Sequence, residues 1–189
     1  MNKRFEMRLT GSGGQGVILA SIVLAEAAVL SDMQTVQSQA YGPEARGGSC
    51  KAETIISMDT ILFSKVVRPD FLLALTQDSL DRYLPNVAED AVVMIDESLP
   101  LPETADPRQV IALPILKTAR DRVGRELTAN IVAVGAINAA LGLFSEDTLQ
   151  KAVKRHIPAG TETINLKALD EGRKLIASDV AARFHLCIA

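Results

Sequence analysis

Six consecutive residues, Gly11-Ser12-Gly13-Gly14-Gln15-Gly16, carry the clearest chemical signal in this sequence. Gly11, Gly13 and Gly16 fit the spacing G-x-G-x-x-G, between an alternating run (Phe5 to Thr10) and a long apolar one (Val17 to Leu30). A strand, a glycine turn and a helix N-terminus in that order present backbone N–H groups to a phosphate. Glycine turns sharply and has no Cβ to hold a ligand away. The plainer alternative is a tight turn that serves helix–sheet packing alone. A dinucleotide site also requires an acid at the end of the second strand, to hold the ribose hydroxyls. That strand reads Thr35-Val36-Gln37-Ser38-Gln39, without an acid, and Asp32 falls at its wrong end. NAD is therefore disfavoured, and a different anion or a partner chain remains as the occupant.

A second constellation is Tyr41-Gly42-Pro43-Glu44-Ala45-Arg46-Gly47-Gly48. It follows the carboxyl end of the second strand, the side on which open α/β sheets bind ligands. Its glycines allow close approach, and the planar fork of Arg46 suits a carboxylate or phosphate. The alternative is an Arg46–Glu44 pair that stiffens a solvated loop. Closeness to the glycine turn favours a functional role.

The other polar residues read as structural. Asn130 falls in the first turn of a helix and reads as a cap, and Asp96 and Glu97 read as turn acids after a strand. His156 and His185 have no neighbours at ligand spacing. Cys50 and Cys187 lie far apart with no CxxC, too few thiolates for an iron–sulfur cluster or a structural zinc. No Ser/His/Asp or Cys/His set is present. The residues describe a binding surface with no catalytic group and no metal site.

These loops need a scaffold, and the sequence supplies one. The 189 residues are 48% hydrophobic but only 4% aromatic, which suits one domain with an aliphatic core. A net charge of −3 offers no attraction to nucleic acid or anionic lipid. Val17–Leu30 is too short to span a membrane. Lys3 and Arg4 before it imitate a signal peptide, but the glycine turn and Glu26 interrupt the run. Two lone cysteines suit a reducing cytoplasm.

Strands are expected at 5–10, Thr35–Gln39, Lys51–Ser57, Phe71–Leu75, Ala91–Ile95 and Val110–Leu113. Helices are expected at Val17–Leu30, Asp78–Leu84, Ile115–Val123 and Thr128–Leu143, from Ser145 to about His156, and at Asn165–Ala182. Ser145 caps its helix, with Glu146 and Asp147 in the first turn where the dipole favours acids. The pattern predicts an α/β fold: a Rossmann-like, open, mostly parallel sheet with helices on both faces and a helical C-terminal portion.

The segments GSGGQGVILASIVLAEAA, QSQAYGPEARGGSCKAETIIS, PDFLLALTQ and TANIVAVGAINAALGL together resemble the gamma subunit of 2-oxoacid:ferredoxin (acceptor) oxidoreductases. The resemblance runs from about Arg8 to Asn165-Leu166-Lys167-Ala168. It implies a single pyruvate/ketoisovalerate oxidoreductase gamma-type domain over 1–189. The loop YGPEARGG is its most specific part. With Lys51 and Glu53 on the strand that follows, it looks closer to the 2-oxoglutarate branch.

The resemblance implies a cytoplasmic hetero-oligomer that decarboxylates a 2-oxoacid, reduces ferredoxin and forms an acyl-CoA. Thiamine diphosphate would lie between alpha and beta subunits, and clusters on beta or on a ferredoxin-like subunit. This chain would be inactive alone, bind no cofactor by itself, and contribute binding of coenzyme A, a shared substrate, and active-site closure. Gly11, Gly13, Gly14, Gln15, Gly16 and Arg46 would meet CoA or its phosphates. Tyr41, Gly42, Pro43, Glu44, Gly47 and Gly48 would form the subunit-facing loop. Two alternatives stay open, a pure interaction module of that complex and a free-standing nucleotide-dependent oxidoreductase. The apolar Val17–Leu30 helix is expected to drive self-association of the isolated chain.

Overall fold

The computed structural model describes residues 4–41, 49–103 and 105–184. Six strands among them form one sheet in the order β2-β3-β1-β4-β5-β6. They are β1 (Arg4–Ser12), β2 (Gln34–Tyr41), β3 (Ser49–Ser57), β4 (Phe71–Ala74), β5 (Val92–Asp96) and β6 (Val110–Leu113). β1, β4, β5 and β6 run parallel, whereas β3 is antiparallel to both its neighbours, β1 and β2. The sheet is thus mostly parallel, as the alternation of strands and helices predicts. Its one reversed strand separates β1 from β2. β4 and β5 are buried at every position, which is why they read as unbroken apolar runs.

The helices are α1 (Val17–Val29), α2 (Gln77–Tyr83), α3 (Ile115–Thr118), α4 (Ala129–Leu141), α5 (Glu146–His156), α6 (Glu162–Lys174) and α7 (Ser178–Phe184). α3 runs on into a π turn at Ala119–Val123. α1 and α4 are apolar around most of their circumference because each is sandwiched. α1 lies between β1–β3 and α5, and α4 carries α6 on its outer side. Ser21 of α1 is fully buried and bonds the Thr54 hydroxyl of β3 at 2.7 Å. α1 is therefore consumed by the chain's own core, with Val29 at its end the exposed large apolar residue. Ile18, Leu19 and Ile22 of α1 remain half-buried.

The opposite face of the sheet is covered unevenly. α2 and the chain just after it pack a small cluster of Leu72, Ala74, Leu80, Val93 and Ile95. Alongside, an irregular strap at 58–70 crosses over β1. Arg8 Nη2 donates to the Val66 carbonyl at 2.9 Å, and Arg4 Nη1 donates to the Phe63 carbonyl at 2.6 Å. Helices do lie on both faces, but most of the mass is on one.

Two details of the helical portion matter for stability. Ser145 caps α5 as expected, its hydroxyl accepting from the Thr148 N–H at 3.2 Å. The helix expected at Asn165–Ala182 is instead two, α6 and α7, with a break at 175–177. The break turns Ile176, Val180 and Phe184 back onto the core, which a straight continuation would carry away from it.

Glu26 of α1 receives Arg155 and His156 from the end of α5. The hydrogen bond from Arg155 is the main cause holding the Glu26 carboxyl below the ordinary glutamate range. A carboxyl with a depressed folded pKa adds stability above its unfolded pKa and loses it as pH falls through the folded one. Glu26→Gln should therefore cost less than about 1 kcal/mol at neutral pH, since the pair is partly solvated. Denaturant midpoints of variant and parent should converge below the carboxylate range; a constant gap across pH would refute the assignment.

Candidate functional site

The ladder brings the glycine turn beside the strand ends that flank the second motif. Gly11 pairs with Cys50 and Ser12 with Ser49, while Tyr41 pairs with Cys50 on its other side. The carboxyl ends of β1 and β2 and the start of β3 thus lie side by side. Gly42, Pro43, Glu44, Arg46, Gly47 and Gly48 fall outside the described residues, as does the side chain of Tyr41. On the far side of β1, Thr10 pairs with Ala74, and the Leu75 N–H donates to the Thr10 carbonyl at 3.1 Å. The chain leaves β1 toward β2 and β3 on one side and resumes at β4 on the other. That reversal of strand order is where open α/β sheets form a binding crevice.

The glycine turn is held from within. The Ser12 N–H donates to Gln15 Oε1 at 2.7 Å, and Gln15 Nε2 donates to the Leu75 carbonyl at 3.4 Å. A Cβ on Gly11 would stand 2.5 Å from that Gln15 oxygen, so a side chain there would expel the amide. Gly16 has φ +71°, and its carbonyl accepts from Asn130 Nδ2 at 3.2 Å. Asn130 is therefore not the helix cap the sequence suggested. It reaches from the first turn of α4 to the glycine turn, and nothing in its local sequence signals that partner.

Gly13 and Gly14 are exposed at the tip of the turn. α1 begins with no side-chain cap and no acid in its first turn, so its leading N–H groups are disposed toward an anion. The Ser12 N–H, by contrast, is already engaged. Beside Asn130 the surface opens into a pocket of about 170 Å³ whose walls include Leu19, Arg125, Thr128 and Thr161. Arg125 was not singled out by the sequence, where it is one cation among many.

Asp96 and Cys50 have structural surroundings. Asp96 accepts from the Ser98 N–H at 3.1 Å and from the Leu116 N–H at 2.8 Å, tying β5 to α3. Cys50 is buried, and that burial pushes its thiol pKa up, away from reactivity. Cys187 and His185 lie outside the described residues. Among the described residues no three His, Cys, Asp or Glu side chains gather to hold a metal. The insertion of β3 also bears on NAD. In the dinucleotide fold β2 adjoins β1, whereas here the end of β2 lies about 10 Å away, two strand spacings.

Sequence reasoning missed one buried cluster on the strap side of β1 and β3. Arg8 Nε donates to Glu53 Oε1 at 2.8 Å, and Lys51 Nζ stands 3.0 Å from the same oxygen. The Arg8 guanidinium also lies 5.3 Å from the centre of the Tyr83 ring. Charged residues alternating along a strand normally read as its solvent face, and here the strap covers them.

Comparison with known proteins gives the family of the chain. A model of the pyruvate ferredoxin/flavodoxin oxidoreductase family matches residues 6–175. The chain is 40% identical over 180 residues to the 2-oxoglutarate synthase subunit KorC of Methanocaldococcus jannaschii, covering 91% of this chain and 96% of that protein. It is similar to the solved gamma subunit of a keto/oxoacid ferredoxin oxidoreductase from Geobacter sulfurreducens PCA. That match has 42% identity and a TM-score of 0.81, over 91% of this chain and 95% of that one. A 2-oxoglutarate:ferredoxin oxidoreductase from Magnetococcus marinus, solved with 2-oxoglutarate, coenzyme A and succinyl-CoA, shares the fold at a TM-score of 0.81 and 20% identity. It is matched over 93% of this chain but only 31% of its own. With the family model spanning nearly the whole fold and a relative at 40% identity end to end, this chain belongs to the pyruvate ferredoxin/flavodoxin oxidoreductase family.

Proposed function

We propose that this chain is one gamma-type domain over 1–189, the gamma subunit of a 2-oxoacid:ferredoxin oxidoreductase acting on 2-oxoglutarate and forming its acyl-CoA. It contributes CoA binding and closure of the active site. Thiamine diphosphate and iron–sulfur clusters belong to alpha, beta and ferredoxin-like partners, and cytoplasmic ferredoxin takes the electrons. The observation that carries this reading is the register that sets Gly11, Cys50 and Tyr41 side by side. It puts a glycine turn, an uncapped helix start and the base of the Arg46 loop on one edge, where an anionic ligand and a partner chain can meet.

The test is a complex assembled with and without this chain, assayed for CoA-dependent oxidation of 2-oxoglutarate. The isolated chain should be inactive and the full complex active. Arg46→Ala should raise the KM for CoA on the order of tenfold, the equivalent of one charge-assisted hydrogen bond. Unchanged CoA kinetics in an intact complex would overturn CoA binding by this loop.

The strap at 58–70 favours the second reading, that the chain acts purely as an interaction module. It exposes Met58, Leu62, Phe63 and Val67, with Leu62 at 94% of its full exposure. An apolar patch of this kind on a domain with an ample core marks an interaction surface. Leu62→Glu with Phe63→Glu should weaken assembly while changing the stability of the isolated chain by no more than about 0.5 kcal/mol. Size-exclusion of the mixed subunits checks it, and undiminished assembly would remove the strap from the interface.

A further inference from the structure

Gln15 ties together the ends of β1 and β4 just past their last ladder bond. β1 and β4 pair through Thr10 and Ala74, and the last ladder bond runs from the Leu75 N–H to the Thr10 carbonyl. Beyond it the strands part, β1 into the glycine turn and β4 into α2. The Gln15 carboxamide stands in the gap. Its oxygen accepts from the Ser12 N–H, and its nitrogen donates to the Leu75 carbonyl. A side-chain amide thereby does the work of one more peptide unit, continuing the ladder across the mouth of the crevice. Glycine at position 11 is what leaves it room.

We infer that Gln15 is a positioning residue for the CoA-dependent step, fixing the separation of the β1 and β4 ends and so the placement of the Gly13–Gly14 tip. This rests on the proposal that CoA meets this edge. Both donor and acceptor are required. Glutamate at position 15 keeps the bond from Ser12 but sets a carboxylate oxygen against the Leu75 carbonyl. Methionine fills the space and makes neither bond. Neither contact is exceptional in strength, so their loss shifts geometry without unfolding the domain.

The experiment is a cycle in the assembled complex, with Gln15→Ala, Gln15→Glu, Gly11→Ala and the Gly11→Ala/Gln15→Ala double variant. Each single variant should raise the KM for CoA on the order of tenfold, the effect of a small misplacement, and leave the KM for the 2-oxoacid unchanged. The double variant should be no worse than Gln15→Ala alone, because the Cβ at position 11 then no longer collides with the amide. In the isolated chain, amide exchange at Ser12 should quicken in Gln15→Ala, Gly11→Ala and the double variant but not in Gln15→Glu, which keeps that acceptor, with the melting temperature nearly constant in all four. Additive effects in the cycle, tighter CoA binding by Gln15→Ala, or equal changes in both KM values would each overturn the inference. If the complex turns over with CoA normally in the absence of this chain, the functional proposal itself fails, and that outcome is seen before any variant is made.

Discussion

Gly172→Ala should destabilise the chain by about 3 kcal/mol through overpacking, lowering the melting temperature by roughly 10 °C for a protein of this size. The reason is the approach of α4 and α6. A Cβ on Gly172 would stand 1.9 Å from the Val132 carbonyl oxygen, and one on Gly135 would stand 2.1 Å from that of Leu169. Both obstacles are backbone, which cannot rotate aside as a side chain can. The helices would have to separate along their whole contact, opening the apolar seam around Ile131, Val134, Ala168 and Leu169. Alanine's better helix propensity returns only about 1 kcal/mol. Gly135→Ala should behave alike, and the double variant should cost less than the sum, because one separation relieves both clashes. Calorimetry decides the matter. A melting temperature within a degree or two of the parent would mean that the helices accommodate a methyl group.

Glu53→Ala should cost about 3–5 kcal/mol, the expected penalty for leaving a buried charge without its partner. The Arg8 guanidinium would be left in a buried site with the Val66 carbonyl and the Tyr83 ring but without its carboxylate, and Lys51 would repel it. Removing both charges with Arg8→Met and Glu53→Leu should recover most of the loss, since a hydrophobic pair of similar volume avoids the desolvation cost. Urea titrations of the three variants check this. A loss under about 1 kcal/mol for Glu53→Ala would show that water reaches the pair. Arg8 also holds the strap, so Arg8→Met should speed proteolysis near Leu62 and Phe63 even where global stability is restored.

The contrast between these two sites shows what a reader of the sequence could and could not see. The strands at Phe71–Ala74 and Val92–Asp96 and the helices α1 and α4 are legible because burial on several sides leaves an unbroken apolar run. The α5 cap is legible because Ser145, Glu146 and Asp147 act on backbone groups within one turn. Gly135 and Gly172 are silent in sequence. A glycine inside a helix reads as a weakness until the facing carbonyl is known. Arg8 and Glu53, 45 residues apart, are opposite each other only through the β1–β3 register.

The candidate site divides in the same way. The sequence by itself determined the local chemistry: the glycine turn before a helix, the arginine-bearing segment after the second strand, and the missing ribose acid. These follow from a few adjacent residues and the backbone rules that govern them. Only the tertiary structure decided which strands lie together. It placed β3 between β1 and β2, and so brought the glycine turn beside the end of β2 and the start of β3 while moving β2 away from its dinucleotide-fold position. It also turned Gln15 and Asn130 inward, onto Leu75 and Gly16. Strand pairing and side-chain partners are long-range choices, fixed by which apolar faces bury best together. No window of sequence around Gly11 holds that information.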